Sequence, residues 1–354
     1  MSVTHKKSLL VTLATKDFLD QAKQVFSSAY WQGGWDGDFL LLAHDVPAAD
    51  LTWFKSKGIL VKSCSNAFFE PIGTFPMVVY DKFKLFTPEF SQWDNIVYLD
   101  GDVMVRGSLA PLSNVQGFWA VRIYHFEIRT TLGRRFYDET PANAKLFARL
   151  RQRYDLRQLA FNSGIMAFST NSVSPTAAAD LEQITLEYRD INIYSDESTL
   201  NLYFSDRWHE LPAIYNFCPG YEMFLRKCSV SELKTVVCHP YSLLARENKP
   251  WKIESPLHQE WLKNLARADD INILNPQRSV LRLAGKRAWT ASNYLKRRHY
   301  IYQYYIYVLR RKKIIRAMER VAGAVGPVLK KFWPKLYQRL KTWPIFSDKK
   351  PPEG

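Results

Sequence analysis

The first part of the chain alternates between two hydrophobic patterns. Continuous apolar runs, which are typical of strands buried on both faces of a sheet, occur at residues 8–15, 39–45, 59–64 and 95–102. The segments between them place apolar residues three and four positions apart, which predicts helices at residues 17–32, 50–58 and 75–90. Strands that alternate with helices predict an α/β fold with a mostly parallel sheet, in which ligands bind at the carboxyl ends of the strands.

The middle of the chain continues this alternation less regularly. Further strands are predicted at residues 119–126, 160–170 and 234–240, and further helices at residues 141–158, 176–190 and 196–205. Pro175 precedes one of these helices, and Asp196 and Glu197 open another, as is typical of helix starts. Together the elements predict one domain over residues 1–275, followed by a region of different texture, 276–354.

Composition supports a folded domain and separates the tail from it. The 354 residues are 47% hydrophobic and 14% aromatic, which excludes a disordered chain and allows a sizeable core. The net charge of +15 is local, because the part from Arg278 onwards has 20 Lys and Arg against three acidic residues, whereas the part before it has 29 against 31. A nearly neutral domain therefore carries a strongly basic tail.

Tyrosine and tryptophan interleave with the basic residues of the tail. Residues 328–340 place apolar and basic side chains on opposite faces of a helix that Pro334 would kink. Such a helix binds an anionic membrane surface, packs on the domain that precedes it, or binds nucleic acid. The apolar stripe favours the membrane interpretation, and nucleic acid is the least favoured, since phosphate contacts need no such stripe. We therefore expect a cytoplasmic protein at the inner face of a membrane, because no apolar run reaches the roughly 18 residues that span one.

The cysteines and the N-terminus carry less information. Four cysteines form no CxxC pair and have no matching histidine pattern, which favours free thiols in a reducing compartment over a zinc site. Lys6 and Lys7 precede an apolar run that ends at Lys16 without a small-residue cleavage site. We interpret that run as a buried strand and not as a signal peptide.

The predicted strand NIVYLDGD, residues 95–102, ends in two acids with a glycine between them. Side chains two apart on a strand point the same way, so Asp100 and Asp102 converge. Two such carboxylates repel each other unless a cation lies between them, and a hard divalent ion with bound diphosphate oxygens meets that demand. Gly101 leaves room for a ligand to approach the backbone. The pattern, together with the preceding apolar strand, supports a metal site for a nucleotide diphosphate and a pair of solvated loop acids about equally.

Other polar residues at element ends are candidates for the same site. Asn162 and Ser163 enter a strand, where they would hold a sugar or form an ordinary turn. His239 ends a strand and is either a metal ligand or a structural histidine. Lys249 lies in KPW and is either a phosphate-binding cation or a solvated lysine.

The order of these motifs resembles glycosyltransferase family 8, which includes glycogenin and bacterial lipopolysaccharide glycosyltransferases. VTLAT (11–15) is similar to the family's opening nucleotide-binding strand, and KLF (84–86) places a lysine 16 residues before the first acid of YLDGD (98–102). The remaining motifs follow in family order: FNSG (161–164), DESTLN (196–201), YNF (215–217) and H…KPW (239–251). The resemblance covers about residues 8–255.

The resemblance implies a GT-A fold, with a Rossmann-like half joined to a mixed central sheet. The pattern of the tail adds a basic helical extension after it. It also implies Mn²⁺ (or Mg²⁺) and a nucleotide-sugar donor, with a UDP-hexose expected. Carried over by position, the metal ligands are Asp100, Asp102 and His239. The residues near the base are Thr12, Thr15 and Phe18, and those near the diphosphate or the sugar are Lys84, Asp100, Gly101, Ser163 and Lys249. The catalytic candidates around the sugar and the acceptor are Asn162, Asp196 and Glu197.

Two departures from the family pattern concern residues of this site. Glu197 stands where the family often has an amide, and HPYSLLARENKPW is stretched and lacks the family's glycine, which makes Lys249 the less secure ligand. The implied activity is retaining hexosyl transfer to a glycan or lipid-linked acceptor in surface polysaccharide or lipopolysaccharide synthesis. Front-face attack and a covalent intermediate on Asp196 or Glu197 both stay open. The alternatives are a soluble acceptor, or a non-catalytic partner that binds nucleotide sugars or glycans.

Overall fold

The computed structural model describes residues 7–65, 68, 70, 72, 75–132, 140–217, 235–240 and 249–274. The predictions for the tail, residues 276–354, lie outside the described residues, as does most of the stretch between His239 and Lys249. Among the described residues, no helix is long and apolar enough to cross a membrane.

A mixed sheet of seven strands forms the centre of the fold, in the order β3-β2-β1-β4-β7-β6-β8. Strands β3, β2, β1 and β4 run parallel to one another, whereas β7 lies antiparallel to β4 on one side and to β6 on the other. Two short strands, β5 and β9, form a separate antiparallel pair. The strands of both sheets are β1 (Ser8–Ala14), β2 (Asp38–His44), β3 (Leu60–Cys64), β4 (Asn95–Leu99), β5 (Met104–Val105), β6 (Phe118–Glu127), β7 (Leu159–Ser169), β8 (Trp208–Glu210) and β9 (Val237–Cys238).

Five of the six α-helices in the described residues lie within predicted helices, whereas the last one was not predicted. They are α1 (Leu19–Trp31), α2 (Thr52–Ser56), α3 (Ala144–Arg153), α4 (Ala177–Glu187), α5 (Asp196–Tyr203) and α6 (His258–Ala266). The segment predicted as one helix over 75–90 is instead two 3₁₀ helices, Met77–Phe86 and Pro88–Gln92. Thr87 between them is extended because the ring of Pro88 disfavours the helical conformation of the residue before it.

Phenylalanine side chains pack where β6 and β7 meet the helices. Phe118 stacks on Phe204 with ring centroids 3.9 Å apart, and Phe86 stacks on Phe168 at 4.9 Å. All four side chains are buried, and their removal from water and ring contacts stabilise the join between the parallel and antiparallel parts of the sheet. The carboxyl ends of β1 and β4 thereby reach the same edge as the first half of β7.

The turn after β4 corrects one detail of the sequence prediction. The strand ends at Leu99, so Asp100 and Asp102 lie in the turn that follows and not on the strand. The Val103 amide donates a 3.3 Å hydrogen bond to the Asp100 carbonyl and closes this turn. The two carboxylates converge because the chain turns around Gly101, and not because strand side chains alternate.

Candidate active site

The two aspartates of the turn and one distant histidine come together. Ligand atoms of Asp100, Asp102 and His239 all lie within 4.8 Å of one another. His239 Nε2 is 3.0 Å from Asp102 Oδ1 and 3.7 Å from Asp100 Oδ2. Burial acts to raise the pKa of Asp102, but the charges of His239 and Lys249 outweigh it and hold that pKa well below its usual range. The carboxylate is therefore ionised throughout the neutral range and available to a cation.

The β5–β9 pair brings the histidine to the aspartates. Met104 pairs with Cys238, so the residue after β9 lies beside the turn that precedes β5. The His239 amide also donates to the Phe217 carbonyl at 2.8 Å, which fixes the backbone on its other side. The strand predicted over residues 234–240 contains β9, whereas β5 was not predicted. The register of the pair places the imidazole.

Gly164 on β7 shapes the floor of this cluster. A Cβ added at Gly164 would lie 2.2 Å from His239 Cε1 and 2.6 Å from Asp100 Oδ2, distances that no side chain tolerates. The absence of a side chain therefore allows the three ligands to approach one another. Two carboxylates and an imidazole suit Mn²⁺ and related divalent ions, so the residues present fit the expected metal.

A buried lysine that the sequence motifs did not indicate, Lys82, lies next to the three candidate metal ligands. Lys82 is 3% exposed, and its Nζ is 3.1 Å from Asp100 Oδ1 and 2.9 Å from Asp196 Oδ2. Burial acts to lower the pKa of Lys82, but the two aspartates outweigh it and raise that pKa. Tyr98 donates a 2.8 Å hydrogen bond to the same Asp100 oxygen. The lysine therefore carries its charge and joins the Asp100 turn to helix α5.

Lys84, which the resemblance placed near the diphosphate, points elsewhere. Its Nζ is 3.3 Å from Asp81, and it does not line the cavity described below. Asp81 in turn lies 2.5 Å from His44 Nδ1, at the end of β2. A 3₁₀ helix has three residues per turn, so Lys84 shares the face of Asp81 while Lys82 lies on another. The structure therefore places Lys84 outside the cavity and Lys82, two residues earlier, in its lining.

The carboxylates that open α5 face the same space. Ser163 Oγ donates to Asp196 Oδ2 at 2.8 Å, and the Ser163 amide donates to Glu197 Oε2 at 3.2 Å. Burial raises the pKa of Glu197 to about 8, and the charge of Asp196 adds to this effect. Burial also raises the pKa of Asp196, although Lys82 opposes it. Glu197 therefore keeps a proton at neutral pH.

Ser195 turns the chain so that both carboxylates point inward. Its backbone has φ 53° and ψ −120°, a conformation that residues other than glycine rarely adopt. Its side chain is fully buried and donates a 3.3 Å hydrogen bond to the Ile72 carbonyl. Backbone strain of this kind costs about 1–3 kcal/mol and clusters at functional sites.

These groups surround a cavity of about 620 Å³. The sequence-predicted residues that line it are Thr15, Phe18, Asp100, Gly101, Asp102, Asn162, Ser163, Asp196, Glu197, His239 and Lys249. Lys249 forms an ion pair with Asp102, and its Nζ donates to the Pro240 carbonyl at 3.0 Å. Two aromatic pairs also line the cavity, Phe18 with Trp251 and Phe75 with Tyr194.

Thr12 is the second predicted residue that lies outside the cavity. It is fully buried within β1, and Leu13 and Ala14 at the strand end line the cavity instead. Leu9, Val11 and Leu13 pack toward the main apolar cluster, and alternation along the strand turns Thr12 to the opposite face. The structure therefore places the Thr12 side chain away from the cavity. Tyr98, Tyr194 and Trp251 also line the cavity, although no role in the site was predicted for them. Their position near the ends of elements was the only sequence signal that could have indicated them.

The fold and the cavity define an α/β protein with a carboxylate and imidazole cluster at the carboxyl edge of its sheet. The chain belongs to glycosyl transferase family 8, whose family model matches residues 68–254. The resemblance drawn from the motifs is thereby confirmed.

Curated relatives support the same family. The glycosyltransferase GlyF of Streptococcus pneumoniae serotype 4 is 24% identical over 234 residues, which is 62% of this chain and 51% of GlyF. The glycosyltransferase GlyB of the same organism is 26% identical over 201 residues, or 53% of this chain and 43% of GlyB. This chain thus spans about half the length of the curated relatives it matches.

Solved structures establish the fold. An active-site mutant of LgtC superposes with a TM-score of 0.55 at 16% identity, covering 73% of this chain and 95% of LgtC. The galactosyltransferase LgtC in complex with donor and acceptor sugar analogs gives 0.53 at 15% identity, covering 77% and 99%. The bifunctional glycosyltransferase WbbM gives 0.53 at 18% identity, covering 79% and 52%. The likeness confirms the expected GT-A fold.

Proposed function

We propose that this chain is a metal-dependent, retaining glycosyltransferase. Its donor would be a nucleotide-diphosphate hexose, with UDP as the expected nucleotide, and its acceptor a glycan or a lipid-linked glycan in surface polysaccharide or lipopolysaccharide synthesis. The observation that carries the proposal is the cluster of Asp100, Asp102 and His239, with ligand atoms within 4.8 Å of one another, inside one cavity with Asp196 and Glu197.

Asp100, Asp102 and His239 would hold the divalent ion, expected to be Mn²⁺ or Mg²⁺. When bound, such an ion neutralises the diphosphate and stabilises the leaving group as a Lewis acid. Lys249, beside Asp102, supplies a second positive charge to the same region. Phe18 is 43% exposed and packs edge to face on Trp251 at 5.9 Å, which offers an apolar surface for a base beside Thr15.

The groups on the other side of the aspartate turn would bind the sugar. Glu197 Oε2 already accepts hydrogen bonds from Asn162 Nδ2 at 2.7 Å and from the Ser163 amide. A proton on Glu197 therefore belongs on Oε1, from which it can donate to a sugar hydroxyl. Asp196 forms an ion pair with Lys82, whose charge favours the ionised form of this carboxyl group. An ionised carboxylate is the form that stabilises a positive anomeric carbon. A protonated Glu197 is a poor nucleophile, which supports front-face attack or a covalent step on Asp196.

A hydrolysis assay tests the metal and donor assignments. Wild type and Asp102→Ala would be compared with UDP-glucose, UDP-galactose and their N-acetyl forms, with and without Mn²⁺. Asp206→Ala is the matched control, because Asp206 is an exposed carboxylate outside the cavity. We expect Mn²⁺-dependent turnover in wild type and the control, and loss of about 100-fold or more in Asp102→Ala. Equal turnover in all three proteins would refute the metal assignment.

The tail remains a separate proposal that rests on sequence alone. We propose that the basic amphipathic segment 328–340 binds anionic membrane surface and holds the enzyme at the inner face of the membrane. The test is flotation of the full chain with vesicles containing phosphatidylserine, comparing wild type with a variant in which Lys330, Lys331, Lys335 and Arg339 are all changed to Gln. We expect the variant to float poorly at low salt. Equal flotation of both proteins would contradict the proposal.

A further inference from the structure

Two buried asparagines connect the candidate metal ligand to the candidate sugar carboxylate. His239 Nδ1 lies 2.8 Å from Asn216 Oδ1, and Asn216 Nδ2 lies 2.7 Å from Asn162 Oδ1. Asn162 Nδ2 then donates to Glu197 Oε2 at 2.7 Å. Asn216 comes from the YNF motif, to which the sequence analysis gave no role, and it is 4% exposed.

The backbone amide of Gly164 fixes the direction of the hydrogen bonds that link Glu197 to His239. The Gly164 amide, which can only donate, lies 3.1 Å from Asn162 Oδ1. The oxygen of the Asn162 amide must therefore face Gly164, and its NH₂ group must face Glu197. Since Asn162 Oδ1 is an acceptor, Asn216 must present its own NH₂ group to it and turn its oxygen toward His239.

The same logic sets the imidazole. An amide oxygen at 2.8 Å accepts a hydrogen bond, so Nδ1 of His239 must carry a proton. Nε2, which lies 3.0 Å from Asp102 Oδ1, is then the nitrogen that faces the aspartates and that would bind a metal ion there. The Gly164 amide on β7 thus determines, through two asparagine side chains, which nitrogen of His239 would bind the ion.

We propose that Asn216 is a positioning residue that couples the two halves of the active site: it orients His239 for the metal and orients Asn162 for Glu197. This inference rests on the proposed function for the identities of the metal and the sugar carboxylate. A metal ion bound at Nε2 would draw electron density from His239 and so strengthen the Nδ1–H donor. The stronger donor favours the Asn216 orientation whose NH₂ group faces Asn162 Oδ1, and therefore the Asn162 orientation whose NH₂ group donates to Glu197.

Two substitutions at Asn216 separate its two contacts. Asn216→Leu has nearly the same volume and removes both hydrogen bonds. Asn216→Asp keeps an oxygen for His239 Nδ1–H but brings a second oxygen against Asn162 Oδ1, so the contact with Asn162 becomes repulsive. Asn171→Leu is the matched control, because Asn171 is exposed and lies outside the cavity.

Mn²⁺ binding is measured first, by calorimetric titration of each protein with MnCl₂ alone and with MnCl₂ in the presence of UDP. Loss of a hydrogen-bond partner behind a metal-binding histidine weakens metal binding by about 10- to 100-fold, so we expect that loss in Asn216→Leu. Asn216→Asp should bind Mn²⁺ within about threefold of wild type or more tightly, because a carboxylate is at least as good a partner for Nδ1–H.

Donor hydrolysis at saturating Mn²⁺ is measured second. Both Asn216 variants should lose about tenfold or more in kcat, because both leave the Asn162 amide held by the Gly164 N–H alone and so hold it less firmly against Glu197. Asn216→Asp is therefore the informative protein, with metal binding kept and turnover lost. A residue with a merely structural role would move both quantities together or neither.

The outcomes that overturn the inference are distinct from those that overturn the proposed function. Mn²⁺ binding by Asn216→Leu at wild-type affinity, or wild-type kcat in Asn216→Asp, contradicts the positioning role. Wild type that fails to bind Mn²⁺ with or without UDP contradicts the proposed function itself. Circular dichroism and thermal unfolding of each variant verify folding, and if Asn216→Leu does not fold, the split between affinity and kcat in Asn216→Asp decides alone.

Discussion

Lys82 and Lys84 provide a direct test, because the motif resemblance selected one of them and the structure selects the other. The substitution Lys82→Met removes a charge from between two carboxylates while keeping an unbranched apolar stem. The matched variant, Lys84→Met, removes the same charge two residues away. Both lysines lie on the same 3₁₀ helix, so the comparison holds length, chemistry and local backbone constant.

The geometry gives the expected magnitudes. The ion pair of Lys82 with Asp196 has both side chains at most 6% exposed, and removing one partner of a buried pair costs about 3–5 kcal/mol of unfolding free energy. The pair with Asp100 adds less, because that carboxylate is 27% exposed. We expect Lys82→Met to lose about 3–4 kcal/mol at neutral pH, limited by protonation of the abandoned Asp196. Lys84 is 27% exposed and Asp81 keeps its contact with His44, so Lys84→Met should lose about 1 kcal/mol or less.

Two assays check this prediction. Urea unfolding measures the stability of each variant, and Mn²⁺-dependent hydrolysis of the best UDP-sugar measures turnover. Removing an electrostatic group of an active site costs about 100-fold in kcat, which we expect for Lys82→Met, whereas Lys84→Met should stay within about threefold of wild type. A larger loss of turnover in Lys84→Met than in Lys82→Met would refute the assignment of the buried lysine to the site.

Two further predictions follow from the same cavity. The folded protein keeps a proton on Glu197 up to pH about 8, whereas the unfolded chain loses it above its ordinary pKa of 4.5, so unfolding releases a proton and becomes more favourable as pH rises. Between pH 5 and 8 the metal-free wild type should therefore lose about 3–4 kcal/mol of unfolding free energy relative to Glu197→Gln. Urea unfolding of both proteins at pH 5 and pH 8 measures this, and the same stability difference between them at both pH values would contradict the prediction. Gly164→Ala should abolish Mn²⁺ binding in calorimetry, because the added Cβ would overlap His239 and Asp100. The control Gly101→Ala should bind Mn²⁺, since its added Cβ meets only the Leu13 carbonyl, at 3.5 Å. Wild-type affinity in Gly164→Ala would contradict the close approach of Gly164 to the metal ligands.

The hydrophobic pattern of the sequence was sufficient for most of the fold. The apolar runs predicted β1, β2, β3 and β4 to within three residues at each end, because strands buried on both faces carry a continuous signal. The short strands β5 and β8 were missed, since two or three residues give no period to detect. The 3₁₀ helices over 77–92 were predicted as one helix, because apolar positions at three-residue spacing fit both geometries.

The sequence also determined which residue types the site contains, through their order along the chain. Eleven of the predicted residues, including Asp100, Asp102 and His239, line one cavity. Order and spacing sufficed for these because each follows directly from an element whose end the pattern marks. The glycine between the aspartates was also visible, although the turn that it allows was not.

Only the tertiary structure decided which side chains face the cavity. Thr12 and Lys84 have the right chemistry and the right neighbours in sequence, yet one points to the other face of its strand and the other shares a helix face with Asp81. Lys82 and Asn216 enter the site through contacts with residues far away in the chain, at Asp196 and His239. A local pattern reports periodicity along one element, whereas the direction of a side chain depends on what the next element packs against, and that is set by the whole sheet.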